Sequence, residues 1–314
     1  MSDITIWMWT GFLLAAYSVI ANDSIQTLGT WIASNRKVNW KIMWGFASAV
    51  LLIAIWYGWW AYDGDISYGR LNKIPFEGVE WYQALAPAVL LLLTRFGIPV
   101  STSFLVLSAF ASTLILQKVL MKSMLGYAVA GVAAYFIWLA LTRLIDEGKS
   151  IKDSHKKWWS IGQWVTTGFL WWTWLSHDMA NIAVFMPRQI PVEVMFIISI
   201  VFVGGLAWML QHRGGKIQEI VVQKKNTKYV RSATLIDLFY FVILYVFKEM
   251  NDIPMSTTWV FVGLLTGREL AIASFRQKDS VKKVFPIVGR DFLKLMVGLA
   301  ASVGIVLVVQ YAKG

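Results

Sequence analysis

Two short polar motifs, set inside otherwise apolar runs, constrain this chain more than any other feature. The first is Ala21-Asn22-Asp23-Ser24, and the second is Ser176-His177-Asp178-Met179-Ala180-Asn181. Each is followed by a proline-plus-hydroxyl cluster, Pro99-Val100-Ser101-Thr102-Ser103 and Pro254-Met255-Ser256-Thr257-Thr258. Asp23 precedes Ser101 by 78 residues, and Asp178 precedes Ser256 by the same 78. The two prolines are 155 residues apart, as are the two aspartates. A carboxylate inside an apolar span is costly and marks a working site by default. A matched pair at one offset predicts a single ion-and-anion site assembled from two copies of one unit.

The surroundings are those of a chain that lives in lipid. Hydrophobic residues make up 57% of the sequence and charged residues 15%, against about 25% charged in a soluble domain. Many of the 18 tryptophans fall at the ends of apolar runs, among them Trp7, Trp9, Trp40, Trp59, Trp60, Trp158 and Trp159, as an interfacial aromatic belt requires. There is no cysteine, which excludes disulfides, thiol catalysis and thiolate metal sites. The net charge of +11 sits in loops between apolar spans, so topology explains it better than nucleic acid does. The first run has no basic segment ahead of it and continues into the acidic motif; it reads as a span, not as a cleaved leader.

The order of spans predicts an all-α polytopic membrane protein made of two inverted repeats. Residues 1–145 form the first, 146–157 a charged cytoplasmic linker, and 158–314 the second. In the first repeat a broken span at 4–34 is followed by a span at 40–62, a loop at 63–80, a re-entrant hairpin at 81–96 and 99–117, and a span at 122–145. The second repeats this order, with a broken span at 158–187, a span at 192–211, a loop at 212–231, a hairpin at 232–251 and 254–274, and a span near 287–312. Each half has an odd number of crossings, which turns the second copy upside down. Charge agrees. Loop 63–80 has two basic residues against four acidic ones, whereas its counterpart 212–231 has six basic against one acidic. Arg36, Lys37 and Lys41 follow the first broken span, but only Arg188, with Glu193, follows the second. Both termini then lie outside a cell membrane. This is the architecture of a secondary transporter, with its site where interrupted helices meet near the midplane.

Asp23 and Asp178 are hard oxygen donors, and Asn22, Gln26 and Asn181 add amide carbonyls. With His177 beside Asp178, these six residues are the candidate cation site, with sodium on Asp23 and Asp178. Ser101, Thr102, Ser103, Ser256, Thr257 and Thr258 are the candidate anion site. A proline suits the first helical position, and the hydroxyls and unbonded N–H groups of a helix N-terminus suit an oxyanion.

Ala-Asn-Asp-Ser-x-x-x-Leu-Gly-Thr at 21–30, Gly-Ile-Pro-Val-Ser-Thr at 97–102, Ser-His-Asp-Met-Ala-Asn at 176–181 and Ile-Pro-Met-Ser-Thr-Thr at 253–258 together resemble the signatures of the inorganic phosphate transporter (PiT) family. The resemblance spans nearly the whole chain. It implies import of phosphate with sodium or protons, cation ligation by Asn22, Asp23, Asp178 and Asn181, and phosphate contact by Ser101, Thr102, Ser256, Thr257 and Thr258. Some positions depart from the family pattern. The second amide of the first motif is Gln26 here, His177 stands in place of the amide before the second aspartate, Phe104 and Trp259 stand where the clusters end in histidine, and Ser103 replaces a threonine. These departures bear on ion coupling and substrate identity more than on fold.

His177 has two readings, a proton-coupling group or a neutral hydrogen-bonding replacement for an amide, and the second is preferred. The rival functions are a sulfate or other oxyanion permease, proton coupling in place of sodium, an anion channel, and a non-transporting sensor. Phosphate near neutral pH still carries a proton to donate, so acceptors in the site favour it over sulfate. No nucleophile–base pair or metalloprotease motif is present, so an enzyme is not expected. No covalent cofactor is expected either: sodium ions or protons act as coupling ions, the bilayer is a partner, and the apolar scaffold spans leave room for a homodimer.

Overall fold

The computed structural model describes residues 4–95, 100–107, 109–110, 113–144, 153–214, 230–249, 256–276 and 278–313, and every regular element among them is a helix. The turn expected at 96–99, most of the linker, most of the 212–231 loop and Pro254-Met255 lie outside the described residues. Helix α1 (Ile6–Ser18) starts at Thr5, whose hydroxyl accepts the Met8 N–H at 3.3 Å, a side-chain cap of the ordinary kind. A π-helical turn, Val19–Asp23, joins it to α2 (Ser24–Ser34).

The break expected at Asn22-Asp23 is therefore not an unwound segment. Ser18, Asp23 and Ser24 all keep right-handed helical dihedrals. One extra residue per turn widens the helix, takes carbonyls off the regular ladder and turns the Asn22 and Asp23 side chains inward. Ser24 Oγ donates to the Ile20 carbonyl at 2.5 Å, giving one of these carbonyls a partner.

Scaffold helix α3 (Trp40–Ala61) follows, capped by the Asn39 side chain on the Lys41 N–H. After loop 62–80 come α4 (Trp81–Arg95), the six-residue α5 (Thr102–Leu107) and the 32-residue α6 (Thr113–Leu144). Here the expected boundaries need correction. The second hairpin arm is only α5, closed by the bonds from Ala109 N to Val106 O and from Phe110 N to Leu107 O. Residues 113–117, assigned to that arm, begin α6. Lys118 and Lys122 end an apolar run, but a solvent-facing lysine does not end a helix.

The second half contains α7 (Asp153–Asp178), α8 (Ala180–Ala183), α9 (Val192–Gln211), α10 (Val230–Glu249), α11 (Thr257–Arg276) and α12 (Lys278–Lys313). Asp153 to Lys157 are thus the first turn of α7 and not linker. The second interrupted span stops at Ala183, short of the expected 187, because Pro187 has no N–H with which to continue it. Turn bonds from Phe185 N to Ile182 O and from Met186 N to Ala183 O close it. The last helix starts well before residue 287, for the same reason that α6 starts early.

Among the described residues, four helices are long and apolar enough to cross a membrane: Trp40–Ala61, Gln117–Leu141, Val192–Gln211 and Lys282–Ala312. α3 and α9 are tied side by side, by Trp44 Nε1 on the Val203 carbonyl (2.9 Å) and by Trp56 Nε1 on Ser199 Oγ (3.1 Å). Loop 62–80 meets the turn after α8: Ile190 N donates to Gly64 O at 3.1 Å, and an Arg188 guanidinium N–H to Ile74 O at 2.9 Å. The turn after α2 meets the one after α9, where Arg213 donates to Val38 O at 2.9 Å. Burial pushes the Arg188 guanidinium down from its usual range, opposed by the negative charge of Asp65.

Helices α6 and α11 touch through backbone. A β-carbon on Gly267 would lie 1.9 Å from the Gly131 carbonyl oxygen, and one on Gly263 would lie 2.4 Å from that of Tyr127. This small-xxx-small stripe is the membrane device for close approach. Arg268, fully buried, pairs with Glu269 at 2.7 Å and lies over the Trp138 ring of α6 at 5.6 Å.

Candidate functional site

The π-helical turn places Asp23 where its two carboxylate oxygens are held from two directions. Asn22 Nδ2 donates to Oδ1 at 2.6 Å, and Thr102 Oγ1 of α5 donates to Oδ2. The Asp178 carboxylate at the end of α7 has the same surroundings. Asn181 Nδ2 of α8 donates to Oδ1 at 2.7 Å, and Thr257 Oγ1 of α11 donates to Oδ2 at 2.8 Å. Each threonine lies 79 residues after its aspartate. Asp23, Asp178, Asn22, Asn181, Thr102 and Thr257 are all buried, and the two carboxylates are close enough to act on each other.

The serines of the clusters do something different. Ser101 Oγ accepts the Phe104 N–H and Ser256 Oγ the Trp259 N–H, both at 3.2 Å, which caps α5 and α11. Each hydroxyl keeps its own proton to donate. Phe104 and Trp259 then pack edge to face, ring centroids 5.6 Å apart, so the two hydroxyl clusters meet through the aromatic residues that end them. Ser103 and Thr258 are buried beside them. The expectation that both clusters open long helices holds only for α11; α5 has six residues, too few for an appreciable end charge.

Of the other expected cation ligands, Gln26 lies one turn after Asp23, and its buried Oε1 has no hydrogen-bond partner among the described residues. The same is true of Asn181 Oδ1. Orphaned carbonyl oxygens next to two carboxylates suit a hard cation, since each would otherwise be an uncompensated buried acceptor. His177 instead points its Nε2 at the Leu244 carbonyl, 3.1 Å away on α10. A carbonyl only accepts, so this nitrogen carries a proton whether the ring is neutral or charged.

Three neighbours escaped the sequence reading. Ser123 Oγ of α6 accepts the Ser256 N–H at 2.8 Å, fixing the start of α11. The buried Tyr240 hydroxyl of α10 donates to the Thr257 carbonyl at 3.1 Å. Arg70 is the most informative of the three. Its loop is bent inward around Asp65, whose carboxylate accepts from Ser67 N (2.7 Å), Ser67 Oγ (2.7 Å) and Gly69 N (3.0 Å). Tyr68 takes a positive φ of 57° there, and burial pushes its phenol up, keeping it a neutral donor to the Ala54 carbonyl at 2.6 Å. The bend aims Arg70, only 4% exposed, at α7, where Nε donates to the Ser176 carbonyl at 2.8 Å and its charge acts on Asp178. A basic residue in a hydrophilic-looking loop gave no sign of this; only the surrounding Asp65, Gly64 and Gly69 hinted at a structured turn.

No family model matches the chain, and no curated protein matches it in sequence. The fold and its apolar helices define a polytopic helical membrane protein. In structure the chain is similar to a solved protein described as the sodium-dependent phosphate transporter, with a TM-score of 0.62 and 17% sequence identity, over 99% of this chain and 100% of that one. At that identity the likeness is one of fold.

Proposed function

We propose that this protein is a cation-coupled importer of inorganic phosphate of the PiT type, working by alternating access. The observation that carries the proposal is the repeated aspartate–amide–threonine contact, Asp23 with Asn22 and Thr102, and Asp178 with Asn181 and Thr257. The threonines belong to the clusters assigned to the anion and bond directly to the carboxylates assigned to the cation. Occupancy of one therefore alters the other through a single hydrogen bond.

Sodium would bind to Asp23 and Asp178 with Asn22, Gln26 and Asn181, and would offset two carboxylates that repel each other. Phosphate would accept hydrogen bonds from the hydroxyls of Ser101, Ser103, Ser256 and Thr258, whereas Thr102 and Thr257 divide between the two ligands. A doubly charged anion enters a low-dielectric site only with cations already in place, which is the physical basis of symport.

The loop contacts support inverted repeats, and the basic residues of the loops that follow α2 and α9 support an orientation with both termini outside. The turn after α2 meets 212–214, and loop 62–80 meets the turn after α8, so each loop touches the partner that inversion brings to its side. The resemblance of four motifs and the shared fold support the same reading.

Uptake of labelled phosphate against labelled sulfate into proteoliposomes, under a sodium or a pH gradient, tests it. Phosphate should accumulate with the sodium gradient; preference for sulfate, or flux that does not saturate, would count against it. Removing the hydroxyls in Ser101→Ala with Ser256→Ala should raise the phosphate KM about tenfold or more, since each lost bond to a charged group is worth roughly 1.5–3 kcal/mol. Sodium dependence should persist, and an unchanged KM would remove the hydroxyl clusters from the anion site.

A further inference from the structure

Arg70 belongs to neither polar motif, yet its charge stands in the second half of the site. The side chain is 4% exposed, and its Nε donates to the Ser176 carbonyl at 2.8 Å, two residues before Asp178. A guanidinium keeps its proton at any physiological pH, so this is a permanent positive charge. Taking one out of water is costly unless an opposite charge is near, and the charge of Arg70 acts on Asp178. A neutral amide would serve the Ser176 carbonyl equally well; what the arginine adds is charge.

The loop is built to hold that charge in place. Besides the three bonds that Asp65 accepts, the Arg70 N–H itself donates to the Ser67 carbonyl at 3.2 Å. The neighbouring Tyr68 ring packs on α3 at Gly58, where a β-carbon would lie 2.7 Å from it. The start of the loop is tied to the turn after α8. Gly64, with a φ of 91°, accepts from Ile190 N at 3.1 Å, and Trp59 Nε1 donates to the Ile190 carbonyl at 2.7 Å. A long side chain held from α3 and from the second half has its ordering cost met before any ligand arrives.

We propose that Arg70 is a resident positive charge of the paired site, doing permanently part of what a coupling cation does when it binds, and so setting the balance between sodium and phosphate affinity. With Arg70 in place, the two carboxylates leave one negative charge to neutralise in place of two. The same charge repels an entering sodium ion and attracts an entering phosphate, so its effects on the two ligands have opposite signs. A purely structural tie through the Ser176 carbonyl would move both affinities the same way. The inference rests on the reading of Asp23 and Asp178 as a cation site, and its test is built to fail separately.

Equilibrium binding to the purified full chain in detergent tests it, with labelled sodium in the absence of phosphate and labelled phosphate at saturating sodium. Arg70→Gln should bind sodium about tenfold or more tighter and phosphate about tenfold or more weaker, the order expected for one unit charge acting across a buried site. Arg70→Lys keeps the charge and should stay within about threefold of the unaltered protein for both ligands. Arg70→Met, which puts an apolar stem in place of the buried one, gives the same reading should the glutamine variant not fold. Three results would overturn the proposal: both affinities falling together in the neutral variants, neither affinity changing, or Arg70→Lys behaving like Arg70→Gln. Unaltered protein that binds no sodium would instead overturn the paired cation site, and this inference with it.

Discussion

Asp23→Asn with Asp178→Asn should abolish sodium-driven phosphate accumulation while leaving the protein folded. Asparagine has nearly the shape of aspartate and can still accept from Thr102 or Thr257, so the helix contacts seen at each half persist. What disappears is the charge. Leaving a buried cation without its partner costs about 3–5 kcal/mol, or on the order of a few hundred- to a few thousandfold in cation affinity. Neutralising one aspartate should raise the sodium concentration for half-maximal uptake and lower the sodium Hill coefficient, and neutralising both should remove the response. The two single variants should also differ, because the charge of Arg70 acts on Asp178. Uptake of labelled phosphate over a series of sodium concentrations reads all of this, and a double variant that still accumulates phosphate would remove these carboxylates from the cation site.

Gly267→Val should be the most damaging change outside the site. The added β-carbon alone would stand 1.9 Å from a backbone oxygen of α6, which has no side chain to swing aside, so the helices must separate. Overpacking costs about 1–3 kcal/mol where side chains can yield, and more where, as here, they cannot. The expected result is a large loss of folded yield in detergent and a lower unfolding temperature. Gly131→Ala, whose nearest contact is the Gly263 carbonyl oxygen at 3.4 Å, should be mild by comparison. Equal stability of the Gly267 and Gly131 variants would show that α6 and α11 do not rely on close backbone approach.

These two predictions differ in how visible they were before folding. The aspartates, amides and hydroxyls were legible because a polar residue in an apolar run is a strong signal and the duplication repeated it at a fixed offset. The residues that complete the site were not. Arg70 looked like loop charge, and Tyr240 lies in an apolar arm outside every polar motif. A repeat argument finds the polar motifs that recur at a fixed offset, and Arg70 belongs to none of them. Helix ends were misjudged for a related reason. Apolar runs report where lipid begins, but α6 and α12 continue past it through lysines, whereas Pro187 stops the second interrupted span early. The interruption at Asn22-Asp23 was placed correctly, but its form, a widened helical turn, depends on where backbone carbonyls find partners, which spacing alone does not reveal.

The central claim is that cation and phosphate share one site joined through Thr102 and Thr257. It is tested most directly by equilibrium binding of labelled phosphate to purified protein in detergent across sodium concentrations, paired with sodium binding across phosphate concentrations. Linkage requires the two affinities to change by the same factor. The expected result is a rise of about tenfold or more in phosphate affinity with sodium, matched in the reverse titration and absent after Asp23→Asn with Asp178→Asn. Phosphate binding that is indifferent to sodium would contradict the account.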